Sequence, residues 1–441
     1  MRFTNKDLRQ LIIPLIIEQV LAFAVGFTDS FMVSSGGDAA TSAVSLVDTV
    51  MVLIIGLFGA LATGGAVIAG HYIGQKKPKE ACRATDQLIL FIAVFSIALT
   101  GAIYLFHQWI LTSVFGDITI TVMENAKIYL LITAASVPFI ALYNGGAAIF
   151  RAMGNSKIPM YIALLMNLIN VTGNALLIYK FKMGVAGAAI PTLISRMFVA
   201  VLILLLLRNE RHLLHLSRRI TFRFDKKMIK RILHIGIPNG LENSIFQLGK
   251  ILVLSLVASF GTAAVAANAV ANAISIFQII PGSANCLAMV TVVSQCVGAK
   301  EYQQAKYYTK KILLITYGAM LIINVVLYFI LPIVLKVYGI SPEAREMARS
   351  LIITYGSFAI IIWPLSFVMP NTLRAAGDVR YPMVVAIASM WTFRIGFSYI
   401  FGKYLGLGVL GVCLAMIVDW LFRTICFTWR YRSGKWQHQR V

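Results

Sequence analysis

The residues that could do chemistry in this chain are carboxylates, amides and a lysine set inside long apolar stretches. Glu18 and Asp29 lie within LIIPLIIEQVLAFAVGFTDSFMV, Leu11 to Val33. That stretch is long enough to cross a ~30 Å hydrocarbon core, which needs roughly 20 helical residues. A charged side chain near the bilayer centre costs about 2.5–3.5 kcal/mol on insertion scales. The two acids are eleven positions apart, which at about 100° per residue returns almost to one helix side, about 16 Å further along. Such acids line a polar cavity by default. For Glu18, near the stretch's start, a local partner is the alternative. Asn170 and Asn174 are also placed i, i+4, so their amides share a helix face. They either offer oxygen ligands or act as hydrogen-bonding glue between helices. Asn239, Asn243, Gln247 and Lys250 follow one face of a second polar-striped stretch, and Asn268, Asn272 and Ser275 follow a third. Both stripes are expected to face a wet cleft. Asp48 continues a stripe with Thr41 and Ser45. Asp419 and Arg423, again i, i+4, read as a local ion pair, and Arg394 as a structural cation serving buried carbonyls or a nearby acid.

The elements that must hold these groups are membrane helices. Of 441 residues, 59% are hydrophobic and 13% charged, with a mean hydropathy of +0.82. Twelve helices are expected, at 11–33, 41–72, 86–110, 125–150, 158–179, 186–207, 233–258, 265–297, 312–335, 348–370, 381–402 and 408–430. The fold class is therefore an all-α integral membrane protein. Prolines 138, 191, 281 and 364 allow kinks. The first stretch is too long for a signal-peptide core and lacks a small-residue cleavage site, so it is expected to be retained. The net charge of +22 would suggest nucleic acid in a soluble protein, but its distribution says otherwise. With both termini in the cytoplasm, 28 Lys and Arg fall on that face, seven on the other and four inside helices. That is the positive-inside pattern of a multi-pass protein in a plasma membrane, and it needs no nucleic acid. The five cysteines form no CxxC pattern, the six histidines show no ligand spacing, and no P-loop is present.

An internal repeat is legible. Pro14 and Glu18 match Pro238 and Glu242, and Ile73-Gly74-Gln75-Lys76 matches Val297-Gly298-Ala299-Lys300, both at an offset of 224. RAMGNSKIPM, from Arg151, matches RAAGDVRYPM, from Arg374, at 223; GVAG at Gly184 matches GVLG at Gly408 at 224. The chain is expected to be two six-helix bundles, 1–207 and 233–441, joined by a basic cytoplasmic linker, 208–232. Six helices per half insert both halves the same way up, about a pseudo-two-fold axis along the membrane normal. Alternating-access transporters use such repeats.

With these motifs, the chain resembles the multidrug and toxic compound extrusion (MATE) family. The helix carrying Pro14 and Asp29, the Gly-Gln-Lys loop, the paired R-A-x-G loops and the GVAG and GVLG starts carry the likeness. A major facilitator would place an acidic, arginine-rich motif after the second helix, where this chain reads HYIGQKKPKEA. The resemblance implies a V-shaped, two-lobed prokaryotic antiporter. It would export amphipathic, often cationic compounds in exchange for Na+ or H+. It also implies a cation site at Asp29, Asn170, Asn174 and Thr192. Asn174 stands where the family pattern usually has a carboxylate, and Glu242 does not match the family's C-lobe acid. The set offers oxygen only, which suits a hard cation, and its single carboxylate suffices for a monovalent ion or a proton.

Asp48, Asn243, Gln247, Lys250, Asn268 and Asn272 are the candidates for the substrate cleft or gate. In the family the helices of Asp48 and Lys250 face one another, so these two are expected to pair across an outer gate. Snorkelling of Lys250 is the alternative. No resident cofactor is expected, and the transporter is expected to be a monomer. The rival on the same fold is a flippase for lipid-linked precursors, with Lys250, Arg394 and Arg196 as its cations. A membrane enzyme or a channel lacks a matching signature.

Overall fold

The computed structural model describes residues 2–35, 37–115, 119–217 and 223–439. Arg218, Arg219 and Arg440 of the charge count, and the middle of the linker, lie outside the described residues. The regular elements among the described residues are all helices. In chain order the elements are α1 (Asn5–Ser34), α2 (Asp38–Gly74), α3 (Pro78–Phe115), α4 (Ile120–Ala135), α5 (Val137–Ala152), α6 (Lys157–Asn174) and α7 (Gly184–Leu207). They continue as α8 (Lys226–Ala258), α9 (Thr262–Gly298), α10 (Tyr302–Val337), α11 (Pro342–Trp363), α12 (Pro370–Ala375), α13 (Arg380–Ser389) and α14 (Gly408–Arg432). Among the described residues, eleven helices are long and apolar enough to span a membrane, and twelve if the bent pair α4–α5 is one span.

The helices run longer than their apolar cores because polar ends continue the same hydrogen bonding. α1 starts six residues before Leu11, where the Thr4 hydroxyl accepts the Asp7 N–H and the Asp7 carboxylate accepts the Thr4 N–H. Pro138 marks a real break, since α4 and α5 meet at 43°. Pro364 opens a π-helical stretch, Pro364–Val368, whereas Pro191 and Pro281 lie inside unbroken helices. Pro14 has no N–H for the Gln10 carbonyl. The Ser156 hydroxyl lies 3.4 Å from that oxygen and 2.6 Å from the Leu11 oxygen, so a neighbouring helix start serves the gap.

The chain divides into two compact units. One is Thr4–Gly240; the other is Leu241–Val441 with Met1–Phe3. The division falls within α8, between Gly240 and Leu241. Apart from the few residues from Pro238 to Gly240, each unit carries one copy of the repeat, and the repeated charges are partners. In the first, Arg151 Nη1 donates to Glu18 at 2.8 Å, with both side chains largely buried. In the second, Arg374 Nη2 donates to both Glu242 oxygens at 2.7 Å. Glu18 thus takes the local-partner reading, and the R-A-x-G loops are repeated because each supplies the guanidinium for its own unit's acid.

The change of offset also has a structural cause. α6 runs on as a π-helix over Ala175–Lys180, and its repeat mate is the π-helix Tyr399–Tyr404, at 224. Only the second unit has a further π-helix, Met390–Gly396, between that segment and Met383, where the offset is still 223. A π-bulge inserts one residue into an α-helix, which is the one-residue gain.

The buried pair gives a stability test. Arg151→Met leaves Glu18 charged and unpartnered, which costs about 3–5 kcal/mol for a buried pair. We expect a lowered unfolding midpoint in detergent for Arg151→Met, and a largely restored one for Glu18→Met with Arg151→Met. Equal midpoints for the single and double variants would contradict the pairing.

Candidate ion-coupling site

The first unit brings together all four residues named for the cation site. α1 supplies Asp29, α6 supplies Asn170 and Asn174 one turn apart, and α7 supplies Thr192. Asn174 Nδ2 donates to Asp29 Oδ1 at 2.5 Å and to Asn170 Oδ1 at 3.2 Å. Asn170 Nδ2 donates to Thr192 Oγ1 at 2.9 Å, and that hydroxyl donates to the Ala188 carbonyl at 2.9 Å. Asn170, Asn174 and Thr192 are buried, and Asp29 is half-buried.

The backbone is built for this approach. A Cβ on Gly173 would stand 2.7 Å from Pro191 Cβ, so only glycine lets α6 close on α7 beside the asparagines. Asn167, one turn before Asn170, donates to the Leu21 carbonyl at 3.1 Å and ties α6 to α1.

The run holds one carboxylate, two amides and a hydroxyl, with the Asn174 amide turning its N–H toward Asp29 and Asn170. Asn174 Oδ1 is buried and has no hydrogen-bond partner. A buried acceptor with an idle lone pair fits a cation ligand. Among the described residues there is no group of three or more His, Cys, Asp and Glu that could hold a metal.

Three neighbours complete the surroundings: Tyr129 and Ser136 were not singled out from the sequence, and Arg196 was named only as a flippase cation. Tyr129 donates to Asp48 Oδ1 at 3.2 Å, so Asp48 has a partner inside its own unit. Arg196 lies close enough to interact electrostatically with both Asp29 and Asp48, and its Nη1 donates to Ser136 Oγ at 2.8 Å. Arg196 stands four residues after Thr192, so the i, i+4 rule could have placed it on the same face. Tyr129 and Ser136 carried no such signal.

The residues named for the cleft belong otherwise to the second unit. Asn243, Lys250 and Asn272 are exposed; Gln247 and Asn268 are half-buried. Ser275 is buried and turns back on the Ala271 carbonyl at 2.7 Å. Asp419 and Arg423 form the expected pair at 2.8 Å, and Arg394 reaches the same acid at 3.7 Å.

A family model, MatE, matches this chain twice, over residues 14–176 and 238–400. The chain belongs to the MatE family. The two MatE matches begin 224 residues apart, as the repeat does. Among MatE relatives, the uncharacterized transporter YisQ of Bacillus subtilis (strain 168) is 27% identical over 432 residues, covering 96% of this chain and 93% of the relative. The probable multidrug resistance protein NorM of Thermotoga maritima is 24% identical over 448 residues, covering 99% and 94%. The fold is shared with a MOP superfamily transporter from Pyrococcus furiosus, at a TM-score of 0.91 and 21% identity over 98% of this chain and 97% of that one. For that protein, reversed polarity of the binding pocket was taken to suggest a different function. An outward-facing multidrug resistance MATE transporter matches at a TM-score of 0.89, 22% identity and coverage of 98% and 97%. This MatE chain is a multi-pass membrane transporter and not an enzyme.

The Gly173 contact is testable. Gly173→Ala pushes a methyl into a rigid proline ring and is expected to cost about 1–3 kcal/mol, as overpacking does. Gly318→Ala, where nothing lies within 4 Å, serves as control. Thermal unfolding in detergent reads both; equal midpoints would mean that α6 and α7 have room to spare.

Proposed function

We propose that this transporter is a secondary exporter of amphipathic small molecules, driven by an inward gradient of Na+ or H+. The observation that carries it is the hydrogen-bonded run from Asp29 through Asn174 and Asn170 to Thr192. It joins α1 to α6 and α7 through one carboxylate. While Asp29 is charged, it holds the Asn174 amide. A proton on that carboxylate, or a sodium ion on its oxygens, neutralises it and competes with Asn174. Rotating the Asn174 amide by half a turn then presents Oδ1 to the ion in place of N–H. Loading the ion thus loosens α1 from α6, and that motion is the means of changing access.

The relatives' names support the cargo class, since NorM and its kin are called probable multidrug resistance proteins. The charge count supports cytoplasmic termini in a prokaryotic plasma membrane. None of the relatives reported above is named a flippase, so the rival reading gains no support. Asp48 and Lys250 stay in the proposal as cargo-facing residues, together with Asn243, Gln247, Asn268 and Asn272.

Inverted vesicles loaded against imposed gradients test this reading. We expect one gradient to drive uptake of an amphipathic dye and Asp29→Asn to abolish it. Asn174→Asp adds a second carboxylate and is expected to tighten any Na+ dependence about ten-fold. Dye uptake that is indifferent to both gradients and to Asp29→Asn would overturn the proposal.

A further inference from the structure

The second unit repeats the architecture of the first but inverts its charge. By the 224 offset, Asp29 corresponds to Val253, Asn174 to Ser398 and Gly26 to Lys250, and Arg394 falls in the inserted turn opposite Asn170. The acid is gone and two cations have arrived. Arg394 lies within the additional π-helix, Met390–Gly396, that the first unit lacks. π-Bulges are frequent at functional sites.

The cations gather around one ring. Lys250 Nζ lies 5.0 Å from the Phe246 centroid, Arg394 Cζ 4.9 Å and Arg423 Cζ 5.7 Å. Arg423 is also 5.6 Å from the Phe367 centroid. A close contact helps to bring Lys250 to the π-helix. A Cβ on the preceding Gly249 would meet Met390 Cε at 2.0 Å, so glycine leaves space for that methionine.

The cluster holds a single acid. Asp419 is fully buried and bonded to Arg423 Nε at 2.8 Å and to the Ser389 hydroxyl, and Arg423 Nη2 also donates to the Ala386 carbonyl at 3.2 Å. Arg394 is left 3.7 Å from the far oxygen, and its buried Nη1 has no hydrogen-bond partner. Lys250 has no acid or hydrogen-bond partner among the described residues. Three cations against one carboxylate leave two positive charges uncompensated. A ring quadrupole attracts cations but does not neutralise them. An intramembrane charge without a partner is a functional site by default, and here it lacks an anion. Snorkelling alone explains neither the shared ring nor the unsatisfied Arg394.

We propose that Lys250 and Arg394 form an anion-binding site that takes the carboxylate of an amphipathic organic acid, its apolar body lying on Phe246 and Phe367. This rests on the exporter reading and gives it a cargo class opposite in charge to the cationic expectation. Lys250, on the exposed face of α8, makes the first contact, and Arg394 offers the donor that Asp419 does not satisfy.

Three probes sharing one ring system test it: 9-anthracenecarboxylate, its neutral carboxamide, and cationic 9-(aminomethyl)anthracene. Equilibrium binding to the purified full chain in detergent is read by fluorescence anisotropy. We expect the carboxylate to bind about ten-fold tighter than either partner. Lys250→Gln should remove that preference, Lys250→Arg should keep it, and Lys250→Glu should turn it toward the amine. Lys250 is exposed, so these variants stay interpretable even if Arg394→Gln fails to fold. Displacement of the probe by benzoate and not by phosphatidylglycerol assigns the site to a soluble cargo; displacement by the lipid alone overturns that assignment. No charge preference in the wild type, or a preference untouched by Lys250→Gln, overturns the site. No gradient is imposed, so a negative result here leaves the export test standing, and a failed export test leaves this one standing.

Discussion

Each helical charge must find its partner inside the protein, because hydrocarbon offers none. That constraint organises both units. Glu18 with Arg151, and Glu242 with Arg374, tie the first helix of each repeat to the loop that repeats with it. These pairs are bought at a desolvation cost, so their role is positional: each fixes where its proline-containing helix lies against the rest of its unit. Asp378 with Arg430 at 2.7 Å and Asp419 with Arg423 follow the same rule in the second unit.

Against that background, the proposed ion and anion sites are departures. In the first unit, Asp29 accepts a hydrogen bond from the Asn174 amide, and Arg196 lies near enough to interact with it electrostatically. Glu18, by contrast, accepts from a guanidinium at 2.8 Å. In the second unit the imbalance has the other sign, with Arg394 and Lys250 lacking acids of their own. The same helical frame thus holds an acid by an amide in one half and lets cations outnumber acids in the other. Duplication supplied the frame, and divergence at equivalent positions with one inserted turn supplied the difference.

Legibility of these features followed the range of the interactions. Asp419 with Arg423 lies one turn apart on one helix, so the sequence showed it. Asp29, Asn170, Asn174 and Thr192 came from family resemblance, and only packing shows that one run of hydrogen bonds joins them. Arg196 could have been placed beside Thr192 by helical spacing, yet its neighbours Asp29 and Asp48 lie on other helices. Tyr129, which holds Asp48, gave no signal, because a tyrosine in a membrane helix usually packs or anchors at an interface.

Hydropathy, charge asymmetry and the 224-residue repeat determined by themselves that this is a duplicated helical membrane protein. Those signals are local or statistical, and the bilayer enforces them on any chain that crosses it. The partner of Glu18, 133 positions away, was a matter for the tertiary structure alone. So were the break at Ser136, the additional π-turn under Arg394 and the sharing of one phenylalanine ring by three cations. Each depends on which faces of distant helices meet, and side-chain contact falls off within a few ångströms while sequence spacing says nothing of that distance. The slip from 223 to 224 lay in the sequence throughout; the backbone had to show that it was a turn with one residue too many.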